Sequence, residues 1–258
     1  MPNTHRLVIG LAVASLLSPS AAFAAQHLDA DQVRTAVLSA NRQKIDLSGQ
    51  DMSGDDLTGL DLSRANLSGA DFSNANLHGV KLVDADLTGA RLVNADLTFA
   101  WFIRANFTRA NLRGATLQTV VTSDQMENTK AQAATFVGAD LSDTRTTVHF
   151  SFDDMRGVNF SHANMTVVMA NQSMGLLRSE FKSCDLEGAN FEGAGLGHVT
   201  FRFARLHHAN FRDADLRDAD FIGAYLNDAD FTGAKTERAD FEGATLTGVK
   251  GLTATGSR

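Results

Sequence analysis

The sequence predicts an all-β solenoid, a chain wound into short stacked coils with one capping helix at its start. Three observations carry this prediction. Apolar residues return every five positions through two long stretches, opposite charges return every twenty, and from position 65 to 115 Ala stands two places before every apolar centre but one, where Val80 appears. A helix of about 3.6 residues per turn would spread such centres around its circumference, and a strand would send alternate ones to opposite faces. A five-residue period repeated this often marks units that bury themselves on their neighbours along one continuous axis.

The elements follow in order along the 258 residues. Residues 1–24 read as a secretory leader: Arg6, an apolar run from Leu7 to Leu17, Pro19, and small residues ending Ala22-Phe23-Ala24, with cleavage expected after Ala24. That run is short of the ~20 residues a permanent span requires. A soluble protein in the periplasm or outside the cell is therefore expected. Loss of the leader removes one of the 23 basic residues and none of the 30 acidic ones, so the exported chain is one unit more negative than the formal −7 of the whole. This balance argues against direct binding to nucleic acid or anionic lipid. Cys184 is the single cysteine, which excludes an internal disulfide.

Residues 25–44 form a linker and the capping helix. Asp29 is the N-cap, Gln32 completes a capping box, and Leu28 is placed to staple against Val33. Val33, Ala36, Val37 and Ala40 make a stripe expected to lie on the first coil near Leu47 and Met52.

The first run of centres goes by fives from Leu47 to Leu117, and the second from Leu176 to Leu246, broken only at Thr236. Twenty-residue coils are read from charges, since residues stacked at the ~4.8 Å spacing of neighbouring strands should alternate in sign. Asp185 with Arg205, Glu192 with Arg212, Asp215 with Lys235, Arg217 with Glu237, Asp218 with Arg238 and Asp230 with Lys250 obey the rule; Lys182 with Arg202 and Asp220 with Asp240 do not. Arg64, Asp84, Arg104 and Asp124 alternate in the first run. With four units per coil, Phe181, Phe201, Phe221 and Phe241 stack in one column and Phe191, Phe211 and Phe231 in the opposite one.

The units themselves, ANLSG, ADFSN and ADLTG, resemble the pentapeptide-repeat family over residues 45–119 and 174–248, and in patches between. The resemblance implies a right-handed quadrilateral β-helix over residues 45–248, roughly ten coils and a rod ~48 Å long. It implies no shared catalytic residues. The best-known members resemble DNA in shape and charge and shield DNA gyrase, which makes a topoisomerase-binding DNA mimic the alternative function here. An export signal, and the Asn, Lys and Arg that dilute the acidic ladder, weigh against it.

Between the runs lies an irregular seam over residues 120–175. The stretch VVTSDQMENTKAQAA lacks the repeat, and Thr122 with Gln125 suggests a short projecting helix. Units return at Phe136 and Leu141, slip by one before Met155, Phe160 and Met165, and slip back before Leu176. Residues 249–258 form a polar tail that offers no lid, so an open final coil at Phe231, Phe241 and Leu246 invites end-to-end pairing of two copies, as similar proteins do.

Candidate sites are few. Phe99, Trp101 and Ile103 occupy outward positions on adjacent units with Lys81 a coil below, an apolar patch suited to a protein partner. The competing expectation is that loop 120–135 covers the patch and Lys81 stacks on Trp101. His198, His207 and His208 with Asp218 and Asp228 sketch a metal site, but solenoid corners point side chains apart, and His207 beneath Glu187 is accounted for as a ladder pair. No metal and no cofactor are expected. Gly-rich phosphate loops, a GxSxG elbow and CxxC pairs are missing from the sequence, and Asp153, Asp154, His149 and His162 of the seam form no catalytic arrangement, so the chain reads as a non-enzymatic scaffold for a protein partner.

Overall fold

A computed structural model of the chain describes residues 27–40, 44–122, 130–166 and 178–252. The leader, Gln125 of the expected loop helix, Leu176 and the end of the tail lie outside the described residues.

One local recipe builds each corner. The carboxylate of Asp46 accepts the backbone N–H of Ser48 two residues on at 3.0 Å, as Asp230 does from Thr232 at 2.9 Å. This side-chain turn bends the chain sharply. The next residue is left-handed, Gly49 at φ +64°, for example. A backbone bond such as Ala65 N–H to Leu62 C=O at 3.1 Å then closes the turn. Beyond the corner, Asn66 donates to Ile45 C=O of one coil while Leu47 donates to Asn66 C=O, both at 2.8 Å. Short as each side is, its backbone groups are satisfied by the coils above and below.

Stacking these corners gives four columns of parallel bridges between residues twenty apart. The first column runs Asp46, Asn66, Asp86, Asn106, Thr135, Asp154, Asp185, Arg205, Tyr225 and Thr245, ten levels in all. The second begins at Asp51, the third at Asp56 and the fourth at Asp61. Residues after the column positions point inward. Leu67, Phe107, Leu186 and Phe201 are fully buried, as are the small residues two places before them, among them Ala65, Ala105, Cys184 and Val199.

The aromatic columns form as the alternation of Phe and Leu implied. Phe181, Phe201, Phe221 and Phe241 stack at 5.1, 4.9 and 5.0 Å with rings within 7° of parallel. Phe191, Phe211 and Phe231 stack at 5.0 and 4.8 Å. The two columns meet edge to face across the axis, Phe211 against Phe221 at 5.6 Å and 88°. Both stacks continue into the seam, through Phe150 on Phe181 and Phe160 on Phe191.

Helix α1, Ala30–Ser39, has the expected capping box between Asp29 and Gln32. His27 adds a bridge to Asp51, Leu28 N–H bonds Asp51 C=O at 2.8 Å, and Arg34 reaches Asp56 C=O at 2.7 Å. Val33 is completely buried, with Leu28 and Val37 half-buried on the same core as Leu47 and Met52. Burying one such side chain is worth about 1.5–3 kcal/mol.

In the seam, successive levels of the first column are Asn106, Thr135, Asp154 and Asp185, so the coils there consume 29, 19 and 31 residues. Strands β1 (Thr116–Val120), β2 (Arg145–Ser151) and β3 (Glu180–Lys182) pair in parallel in that order. Through the corner between the third and fourth columns β2 runs extended, whereas β1 keeps a left-handed Thr119 at φ +51°. The slip of one falls between Thr146, beside Leu117, and Phe150, beside Phe181.

Candidate functional site

The aromatic patch starts from a backbone peculiarity. Phe99 occupies a left-handed corner at φ +60°, where Gly79 sits one coil below at φ +65°, and it is 47% exposed. A bulky side chain in this conformation is an outlier. Its ring stands edge-on to His78 at 5.3 Å. Trp101, half-buried, bridges Lys81 below and Val121 above, and the Lys81 ammonium lies 5.6 Å from its ring centroid.

Ile103 does not belong to the patch: only 2% of it is exposed. The physical reason is the return of the insertion to the wall at this corner, where Arg104 N–H donates to Gln132 C=O at 3.1 Å, at the end of the 3-10 turn Lys130–Gln132. Thr122 is tied to His149 C=O at 2.8 Å. The insertion thus buries Ile103, Phe99 stays exposed and Trp101 half-buried, and the Lys81 stacking expected with the covering loop is present.

A second exposed aromatic pair went unread in the sequence. Phe203, left-handed at φ +58° and 51% exposed, lays its ring over Gly223, where a Cβ would meet it at 2.6 Å. Tyr225 is 46% exposed, its ring 6.2 Å from that of His207. The available signal was Phe two places after a centre, the same offence against the repeat that marks Phe99.

The histidines pair singly with carboxylates on different corners. His198 Nε2 lies 3.8 Å from Asp218, and His208 Nδ1 4.0 Å from Asp228. His207 faces Tyr225, while Glu187 pairs with Arg205 at 3.4 Å. Among the described residues no group of three or more His, Cys, Asp or Glu is placed to hold a metal. The seam groups also part ways, with His149 outward on β2, Asp154 bound to Arg156 at 2.7 Å, and Asp153 buried.

At the C-terminal end Phe231 is fully buried, because the chain continues above it and Lys250 C=O accepts its N–H at 2.8 Å. The open surface therefore consists of half-buried Phe241 and Leu246, 43% exposed.

The acidic ladder has a structural occupation. Hydrogen bonds from Ser48, Thr58 and Thr232 hold the carboxyls of Asp46, Asp56 and Asp230 below the usual range. Arg104 does so for Asp84 and Arg238 for Asp218, both pairs at 2.6 Å and one coil apart as the charge pattern required. Asp185 pairs with Arg205 at 3.4 Å. Other expected pairs are replaced by diagonal ones, Arg212 reaching Asp230 at 3.3 Å and Arg217 turning back to Asp215. Arg two places past a column position reaches either the carboxylate of the next level, as Arg212 does, or that of its own column residue, as Arg217 does. Asn side chains in turn link levels, Asn210 to Asn190 at 2.9 Å.

Four columns of bridges around a Leu, Phe and Ala axis define a β-helical solenoid made of five-residue units. The chain belongs to the pentapeptide repeat family. Residues 174–250 match the family's "Pentapeptide repeat region" model, and 43–79, 51–89 and 90–118 match "Pentapeptide repeats (8 copies)", together more than half the chain. Among solved structures, HetL, a pentapeptide repeat protein involved in heterocyst differentiation regulation from the cyanobacterium Nostoc sp. strain PCC 7120, is 24% identical over 86% of this chain and 97% of its own, with a TM-score of 0.58. QnrB1, a plasmid-mediated fluoroquinolone resistance protein, is 21% identical over 80% of this chain and 89% of its own, with a TM-score of 0.38. A comparison with curated proteins gave no match. The likeness to HetL shows the fold alone. No helix among the described residues is long and apolar enough to cross a membrane.

Proposed function

We propose that the protein is an exported, non-enzymatic binding scaffold, a right-handed quadrilateral β-helical rod that presents Phe99, Trp101 and Lys81 to a protein partner. The observation that carries this reading is Phe99, a large apolar ring left 47% exposed in a left-handed corner where Gly fits without strain. Such strain has no return in core packing, which points to a use at the surface. Trp101 beside it supplies the residue type most favoured at binding hot spots, and Lys81 a charge at its rim. The non-enzymatic part is supported by a core filled along its axis with Leu, Phe and Ala. Export rests on the leader of residues 1–24.

The test compares capture of periplasmic partners by the native chain and by Phe99→Gly and Trp101→Ala. Loss of one captured protein with both variants, while thermal stability is kept, supports the patch. Equal recovery with all three chains would dispose of it.

A second contact is proposed at the C-terminal coil, where Phe241 and Leu246 offer an uncovered sheet end to a second copy of the chain. Light scattering should give a dimer that Leu246→Asp converts to monomer; a native monomer at high concentration contradicts it. Mimicry of DNA is less favoured, since so many of the carboxylates are spent on turns and ion pairs.

A further inference from the structure

Above Ile45 of the first coil, the inward residue between the fourth and first columns is the small Ala65, Ala85, Ala105, Ala134, Cys184, Ala204, Ala224 and Ala244 in successive coils, except that Asp153 stands between Ala134 and Cys184. It is only 2% exposed, and its Oδ2 is buried with no hydrogen-bond partner. Its Oδ1 accepts the backbone N–H of Ala134 at 2.6 Å. In the other coils that N–H closes a corner, as Ala105 does on Phe102, Cys184 on Phe181 and Ala204 on Phe201. The insertion after Thr122 removes that corner from Ala134. The carboxyl of the next coil supplies the acceptor instead.

We propose that Asp153 is a proton-operated clasp: as a neutral acid it holds the returning segment Lys130–Ala134 against the seam, and on ionisation it loosens that segment by letting water reach the carboxylate.

Among the described residues no cation is paired with this carboxyl. Cys184 lies in the coil above, its own thiol pushed up by burial and then by Asp153; Ala134 lies in the coil below, and the backbone of Ser151 also faces the carboxyl. The outward charges nearby are paired elsewhere, Arg156 with Asp154 and Arg205 with Asp185 and Glu187. Glu180 and Lys182 sit on β3, and His149 on β2. Among the described residues no ion pair includes Asp153. Burial pushes its carboxyl up to about 7, against the N–H bonds of Ala134 and Ser151 that hold it down. The sign follows from linkage. A carboxyl that binds its proton more tightly when folded adds stability that is complete below the ordinary carboxylate range and is lost as pH rises toward neutrality.

Cys184, the single thiol, is a built-in reporter of the opening. Its rate of reaction with 4,4′-dithiodipyridine in the full-length chain, divided by the rate of the denatured chain at the same pH, should rise more than about tenfold between about pH 5 and about pH 8. In Asp153→Asn the corrected rate should not change with pH. A flat native profile, or the same profile in the variant, overturns the proposal. Should the variant not fold, the carboxyl carbon resonance of Asp153 in the native chain decides: titration near neutrality is expected, and titration in the ordinary carboxylate range overturns it.

Discussion

At the scale of the residue, the corner position two places past each centre governs what the surface can carry. Gly is comfortable there and L side chains cost about 1–2 kcal/mol, unless, like Asn and Asp, they bond locally. Phe99→Gly is therefore expected to keep or raise stability, by up to about 1 kcal/mol in thermal unfolding, after the entropy of the unfolded Gly is counted. Gly223→Ala has the opposite sign: it adds strain and meets the Phe203 ring at 2.6 Å, and a loss of about 1–2 kcal/mol or more should follow in denaturant unfolding. The Asp and Asn of the repeat were legible as a ladder of charges but not as turn acceptors. Their interchange with one another, with Ser or Thr two residues on, carried the missing information, because Oδ1 of either residue serves the N–H equally. The pH profile follows from the same side chains. Asp46, Asp84 and Asp218, whose carboxyls are held below the usual range, contribute stability above the ordinary carboxylate range that is lost as pH falls through their folded values, so thermal midpoints should drop in acid.

At the scale of the element, the capping helix and the aromatic columns were readable because each obeys one local rule over its whole length. Asp29 with Gln32 announced the helix start, and Asp29→Ala should cost about 1 kcal/mol by removing the acceptor for Gln32 N–H. The mid-column Phe rings gain from a parallel neighbour on each side and edges across the axis. Phe211→Ala, in mid-column, is expected to destabilise by about 3–5 kcal/mol in denaturant unfolding, and Phe241→Ala, half-buried at the open end, by clearly less. Phe160 was legible as a centre of the slipped register, but the passage of the other column through Phe150 was not, since Thr146 takes an inward position meant for Leu and the next centre comes one residue early. Ile103 was misread for a related reason: the fold-back of an insertion is a tertiary event, and no local period records where it lands.

At the scale of the whole molecule, a solenoid is a sum of levels, each stabilised by the two it touches. The buried Leu, Phe and Ala were contained in a five-residue pattern, because identical units can bury identical faces only by winding, while the register of twenty came from the charges that recur at that interval. The coils of 29, 19 and 31 residues were visible only as a break in that pattern. The partner surface is a different matter. A repeat specifies its own stacking and nothing of what docks on it, so the proposed partner surface lies where the repeat is violated at its corner, at Phe99, with Trp101 beside it. The register itself is the claim beneath all the others. It is tested most directly by oxidising paired cysteines in a Cys184→Ala background: Asn190→Cys with Asn210→Cys, adjacent levels of the second column, should form a disulfide readily, whereas Asn210→Cys with Asp220→Cys, on opposite columns, should not. Oxidation of the second pair in preference to the first would contradict the twenty-residue coil.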